Sequence, residues 1–288
     1  MKYAWIDSQR SQYPLERLCE AVEVSLSGFH HHLQKPESPR AVANRDLLTA
    51  IRARHSESDG VYGAPRIHRD LLDEGRICGL QRVQRLMRRN GVRSCVRRRY
   101  KATTDSRHAH PVAANLLKQE FTVARANHTW VADITYIRTG EGWLYLAAVL
   151  DLYSRALIGW AMSERINREL VIQAMTMAIQ NRRPAAGLLH HSDRGSQYAS
   201  DDFQRLLKAH QIVPSMSGAG NCYDNAVMES FFHSLKTERV HHRRYQTRVE
   251  ARTDLFQYIE VFYNRRRRHS SIGYQTPLGY EQMKAISA

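Results

Sequence analysis

The sequence predicts an α/β protein: a mixed sheet with helices on its faces, preceded by small all-α segments. Two observations carry that prediction. From Thr129 onward, strand-length runs of β-branched and apolar residues alternate with stretches of helical periodicity, as in a layered sheet. Before about residue 112 the periodicity is helical, and glycine and proline cut it into short pieces. A third observation concerns the surface. The 288 residues hold 43 Lys+Arg against 28 Asp+Glu, a formal charge of +15, and such a field favours polyanions, nucleic acid first among them. Charge alone does not separate an enzyme from a passive binder.

Composition narrows the class. Hydrophobic residues make up 42%, enough for a substantial core. Cys19, Cys78, Cys95 and Cys222 lie far apart with no CxxC pair, which argues against a zinc finger or disulfide framework and suits free thiols in a reducing cytosol. No run of 18 apolar residues occurs, and the opening MKYAWIDSQR lacks a signal-peptide stretch. The expectation is a cytoplasmic protein with no membrane partner.

Residues 1–38 read as a short helical segment. Leu15, Leu18 and Val22 mark one helix, and Ser25 opens a second that ends near Leu33. Residues 39–101 read as a helix-turn-helix domain. A helix covers about Ala43–His55; Gly60 and Gly63 break it; Pro65 starts the next and Gly75 follows its end. The third, Leu80–Asn90, puts Val83, Leu86 and Met87 on one face and Arg82, Arg85 and Arg89 on the other. An arginine-lined last helix suits a DNA major groove, and a helical bundle with a solvated basic face is the alternative. Arg97, Arg98, Arg99 and Lys101 carry the charge onward, and residues 102–122 read as a polar linker.

Residues 123–288 form the sheet-based core. His128–Ile137, Trp143–Leu152 and Ala156–Met162 read as three strands. Asn167 caps a helix to about Arg183, which Pro184 ends. Leu188–Ser192 is a short strand. Ser200, Asp201 and Asp202 open a helix through His210, and Ile212–Met216 returns as a strand. Asn225 to Val240 and Thr247 to about Asn264 are helical, with a basic tail behind them.

Three acids stand out by position. Asp133 lies mid-strand between Ala132 and Ile134, where an unpaired carboxylate is costly. Asp193 ends the fourth strand, and Glu229 sits among Val227, Met228, Phe231 and Phe232 on a helix. The intervals are 59 and 35 residues. Carboxylates brought together repel unless a cation neutralises them, and hard oxygen ligands suit Mg²⁺ or Mn²⁺. Two such ions would serve an in-line displacement at phosphorus. The ordinary readings are a turn cap, a helix cap and a surface ion pair. Lys236, seven residues after Glu229, points the same way two turns on and could hold a phosphate. Asp151 is a reserve ligand, and Asp224 reads as a helix cap. Of His190 and His191 at most one faces the site. Asn221, Tyr223 and Asn225 suit either DNA contact or a loop. The histidines His30–His32 read as a polar helix face. Arg243, Arg244 and the run Arg265, Arg266, Arg267 and Arg268 suit the DNA backbone.

The stretches TWVADITYI, YLAAVLDLYSRALIGWAMS, HHSDRGSQY and SMSGAGNCYDNAVMESFFHSLKTE, with the tail YNRRRRHSSIGYQTP, resemble the retroviral-integrase superfamily and its DD(35)E signature. More closely, they resemble OrfB of the IS-three family of bacterial insertion-sequence transposases. YGAPRIHRDL and RVQRLMRRNGVRS match the helix-turn-helix ahead of that core. The resemblance implies an RNase H-like fold and a DDE transposase that cuts element ends and joins them to target DNA by 3′-OH attack. It implies that Asp133, Asp193 and Glu229 bind two Mg²⁺ ions, with Mn²⁺ able to replace them, and that Lys236 contacts a phosphate or terminal base. It further implies double-stranded DNA as substrate, a homo-oligomer on DNA, and an upstream OrfA-type partner, free or as a frameshift fusion. No heptad run occurs near residue 1, so that partner segment is expected to be absent here. Rival readings are a non-catalytic DNA-binding regulator and an RNase H-type nuclease.

Overall fold

In the computed structural model, which describes residues 2–34, 37–95, 113–218 and 222–286, the chain is helical up to Arg89 and sheet-based from Thr129. Helix α1 (Lys2–Gln9), which the sequence reading did not include, packs with α2 (Leu15–Ala21) and α3 (Leu26–Gln34) around Ile6, Leu18, Cys19 and Phe29. Helix α4 (Pro39–Glu57) begins before its apolar periodicity does. Ser38 Oγ accepts from the Ala41 N–H at 3.2 Å, and Pro39 needs no donor at a first helical position, so capping chemistry sets the start. Helices α5 (Ala64–Asp73) and α6 (Leu80–Arg89) close on α4 through Leu47, Ile51, Ile67, Leu71, Val83 and Leu86.

The core opens with a meander of β1 (Thr129–Thr139), β2 (Gly142–Asp151) and β3 (Leu157–Ser163), each antiparallel to the last. Asn167 Oδ1 accepts from the Leu170 N–H at 3.2 Å and starts α7 (Arg168–Arg182), which crosses the sheet. Strand β4 (Leu189–Ser192) then lies parallel to β1. Helices α8 (Ser196–Ala199) and α9 (Asp201–Ala209) lead to β5 (Val213–Met216), parallel to β4. The sheet order is β3-β2-β1-β4-β5, a mixed sheet as the pattern predicts and the RNase H-like arrangement that the resemblance implies. Ser200, Asp201 and Asp202 open α9 as expected, with Ser200 at its N-cap; the Ser200 hydroxyl donates to the Gln197 carbonyl and closes the α8 turn.

Alternate residues of β1 serve opposite faces. Trp130 and Ala132 bury against α7 and α9 with Leu170, Ala174 and Phe203. Val131 and Ile137 face the other way, toward α10 (Ala226–Glu238) and α11 (Arg248–Phe256), with Met228, Phe231 and Leu255. Each buried Val, Leu, Ile, Phe or Met among them contributes roughly 1.5–3 kcal/mol. On the α7 side, a Cβ at Gly159 would lie 2.3 Å from the Ala174 carbonyl oxygen, so α7 rests on β3 at a separation only glycine allows. Helix α11 continues as a π-helix over Gln257–Tyr263, and α12 (Pro277–Ile286), in the tail expected to be basic and helical, ends the described chain.

Two expectations change here. The second half of the segment read as a linker packs on the sheet: Leu117 is buried on the α10 face, and the Leu116 N–H donates to Ser215 Oγ at 2.9 Å. Arg97, Arg98, Arg99 and Lys101 lie outside the described residues. In the run read as DNA-facing, Arg267 and Arg268 turn inward. Arg267 grips Glu238 at 2.6 and 2.7 Å, and Arg268 pairs with Asp70 and Asp73 of α5. A guanidinium that is nearly fully buried must find a carboxylate inside the protein, and here the tail finds one in each half of the molecule. Tyr62 adds to the joint: its hydroxyl donates to the Arg266 carbonyl at 2.8 Å and accepts from the Arg268 N–H at 2.9 Å. Among the described residues, no helix is long and apolar enough to cross a membrane.

Candidate active site

Val131 of β1 with His191 of β4 is the last pairing of these two strands; Asp133 and Asp193 each lie two residues beyond it, near enough for the Asp193 charge to act on Asp133. Both aspartates are half-buried. By parity they share the face of Val131 and Ile137, while Ala132 and Ile134 take the other. Strand β4 ends one residue before Asp193 because the chain turns there: Asp193 Oδ1 accepts from the Gly195 N–H at 2.9 Å. A Cβ on Gly195 would sit 3.0 Å from that oxygen, so the glycine leaves the carboxylate its room.

Glu229 arrives on the first turn of α10, whose Met228, Phe231, Phe232 and Leu235 bury the helix on the same face of the sheet. Asn225, at the start of that helix, donates from Nδ2 to the Ala132 carbonyl at 3.2 Å. It thereby pins α10 to β1 one residue before Asp133. Lys236 lies two turns beyond Glu229; it is buried, with its Nζ 4.8 Å from the centre of the Tyr136 ring.

The electrostatics follow from that crowding. Burial pushes the Asp133 carboxyl well above the usual range, and the charges of Asp193 and Glu229 push it further. The Ile134 N–H, 2.7 Å from Oδ1, and Lys236 pull it back. Burial raises Glu229 as well, and it lowers Lys236 to about 8 against the opposing pull of Asp133. Tyr198 is buried on the far side with its hydroxyl unpartnered among the described residues; burial, Asp133 and Asp193 all raise it. Three acids and one weakened cation leave the site short of positive charge, and its donors are hard oxygens. That fits a hard divalent cation. Among the described residues, no three His, Cys, Asp or Glu side chains already stand close enough together to enclose an ion. Asp193 acts on Asp133 more strongly than Glu229 does.

Other expected residues fall elsewhere. Asp151, the reserve ligand, pairs across the sheet with Trp130 and so faces away from Asp133. Its carboxylate accepts from the Asn127 and Tyr153 N–H groups at 2.7 and 2.9 Å and from Trp130 Nε1 at 3.3 Å, which makes it a turn clamp. Asp224 does not cap α10. It accepts from Asn115, Gln119 and the Gly218 N–H, tying the entry segment to the loop after β5. His190 packs between Tyr198 and Phe203 on the far face, and burial lowers it to about 3. His191 shares the aspartates' face but sits between the Ser215 and Ser217 hydroxyls, lowered to about 4; both imidazoles are neutral and structural. Asn221 and the Tyr223 side chain lie outside the described residues.

The arginines proposed for DNA are spread over the molecule. Arg82 is half-buried, with Nε on Asn44 Oδ1 at 2.8 Å; Arg85 is half-buried and Arg89 exposed. Arg243 pairs with Asp254 at 3.2 Å, while Arg244, Arg265 and Arg266 are exposed. Sequence reasoning missed Tyr198 and left Asn225 undecided. An aromatic after a turn and an asparagine before a helix have many uses, and only the tertiary contact selects one.

Comparison with known proteins agrees with this layout. An integrase core domain family matches residues 123–222, which hold Asp133 and Asp193, and a second integrase core domain family matches 229–284, which hold Glu229 and Lys236. An HTH-like domain family matches residues 43–100. A 31 kDa protein of insertion element IS600 from Shigella sonnei is 42% identical over 92% of this chain and 97% of its own. The transposase InsF of insertion sequence IS3A from Escherichia coli K12 is 40% identical over 98% of each. Among solved structures, a chain of the simian T-cell lymphotropic virus intasome complex is 14% identical with a TM-score of 0.47, over 80% of this chain and 74% of that one. That likeness is too loose to argue from. With 40% identity along nearly its whole length, the chain belongs to the IS3-type family of insertion-sequence transposases, integrase-core enzymes of DNA transposition.

Proposed function

We propose that Asp133, Asp193 and Glu229 hold the divalent cations of a DDE centre that cuts the element's ends and joins them to target DNA, with Lys236 holding a phosphate of the strand. The observation that supports this reading is the β1–β4 pairing: Asp133 and Asp193 each lie two residues past its last step, Val131 with His191, on the sheet face that the helix of Glu229 covers. Two Mg²⁺ ions bound there would activate the attacking oxygen and stabilise the leaving one during displacement at phosphorus. The protein's own groups orient and exclude. Asn225 fixes where α10 crosses β1, Tyr136 backs the Lys236 ammonium, and the apolar underside of α10 keeps water from beneath the acids. Terminal inverted repeats as substrate, an oligomer pairing two ends, and an OrfA-type partner extend the same proposal.

Glu229 gives the sharpest test, because it acts on Asp133 less than Asp193 does. Glu229→Gln should lower strand transfer on an end-labelled duplex by about 10³-fold or more. Binding of the same duplex without metal should stay within about twofold. A variant that still joins DNA would remove Glu229 from the centre.

Lys236 supplies a pH signature. Its ammonium titrates near 8, so its charge is lost as pH rises through that value. Strand transfer should therefore fall on the alkaline side near that pH. Lys236→Arg, which keeps its charge, should move the fall upward by about one pH unit or more. A pH profile that is the same in both proteins would assign the limb to another group.

A further inference from the structure

Beside the acids, between α5, α10 and the turn after the π-helix, lies a cavity of about 340 Å³. Arg66, Arg155, Arg267, His269, Ser230 and Ser234 line it, together with the first turn of α10. Leu150 forms part of its wall and lies two residues along β2 from Ala148, the partner of Asp133. Ser230 follows Glu229 on α10. The cavity therefore adjoins the candidate centre, roughly 7 Å further along the strand direction.

Its charge is lopsided. Glu238 meets two of the three guanidiniums, Arg267 at 2.6 Å and Arg66 at 3.6 Å. Arg267 is also held by Ser234, and burial keeps His269 neutral. Arg155 is different. Its Nη2 donates to the Phe121 carbonyl at 3.1 Å, but its Nε and Nη1 are buried and have no hydrogen-bond partner among the described residues. Asp151 acts on it from a distance and is already taken by its own N–H donors. Buried guanidinium donors are rarely left unmet in a native protein unless a ligand, an ion or water meets them.

We propose that this cavity binds a backbone phosphate of the DNA strand, with the Arg155 guanidinium, turned so that its unpartnered Nε and Nη1 reach the cavity, as principal donor and Arg66 reaching it from the helical domain. A guanidinium fork with two free donors matches a phosphate's paired oxygens. The proposal shares with the reading above only the identity of the ligand, DNA. It concerns a phosphate next to the one that reacts, and it gives α5 and α10 a common contact.

The test is phosphate ethylation interference on the full chain in EDTA, using a duplex that carries the element's end with one phosphate ethylated at a time. One ethylated position should weaken wild-type binding about tenfold, the scale of a charge-assisted hydrogen bond, and should have no effect on Arg155→Gln. Ser230→Glu places a negative charge in the cavity from an exposed helix position and leaves core packing alone. It should show the same insensitivity, with a melting temperature like that of the wild type. If every position that matters to the wild type matters equally to both variants, or if none matters to the wild type, the proposal is overturned. The assay contains no metal and no chemistry, so its failure leaves the acid centre standing. The loss of joining in Glu229→Gln, in turn, says nothing of this cavity.

Discussion

Asp133→Asn is expected to stop strand transfer and, in the absence of metal, to make the protein more stable. The first effect follows from the proposed role of Asp133 as a ligand, and about 10³-fold or more is the usual scale when one member of a cooperating set is lost. The second follows from the crowding of the site. Burial and the charges of Asp193 and Glu229 hold the folded-state pKa of Asp133 above its unfolded value. Such a group favours the folded state while protonated, and that advantage disappears as pH rises from the ordinary aspartate range through the folded pKa. At neutral pH the wild type thus carries a penalty that asparagine lacks. Urea unfolding in EDTA at pH 7 should show a gain of about 1–3 kcal/mol, and the gain should vanish near pH 4. Added Mg²⁺ should raise the wild-type melting temperature and leave the variant unmoved. A variant that unfolds like wild type at every pH would mean that the carboxylates do not crowd one another.

Glu238→Gln should cost about 3–5 kcal/mol, the largest stability effect we expect from a polar substitution in this chain. Glu238 is buried and accepts from Arg267 at two points and from the Tyr258 hydroxyl at 2.8 Å; Arg66 lies 3.6 Å away. Removing its charge leaves Arg267 almost fully buried without a counter-ion, and it loosens the seat of α5 on α10. Glu229 and Lys236 ride on that same helix, so strand transfer should fall with stability. Replacing the pair together, Glu238→Met with Arg267→Met, should cost less than the single change, because well-packed apolar groups can stand in for a buried ion pair. Denaturant midpoints of the three proteins decide the matter. A single variant within about 1 kcal/mol of wild type would mean that the pair does not hold the two parts together.

The sheet was readable because its strands bury both faces: Trp143–Leu152 is nearly continuous in apolar residues, and period two did the rest. Position alone singled out Asp133, in mid-strand between Ala132 and Ile134, but a turn cap remained an ordinary reading of it; the motif resemblance joined it to Asp193 and Glu229. Where reading stopped, the reason was long-range. Nothing local to RRRR says that two of the four arginines, Arg267 and Arg268, meet acids in α10 and α5. Asp151 and Asp133 look alike in sequence, and only their parity against Trp130 and Ala148 sends them to opposite faces. Helices α1 and α12 lack a clear apolar stripe, with Ile6 and Pro277 their single buried residues, so periodicity had little to detect.

The three acids enter in chain order from β1, from the end of β4 and from α10, with the α7 crossover between the first two. Until that crossover docks, Asp133 and Asp193 are only distant points on a flexible polymer. A polypeptide cut short before α10 would still carry the helix-turn-helix, and could occupy DNA while lacking the third acid. Synthesis from the N-terminus thus delivers the helix-turn-helix before the helix that bears Glu229.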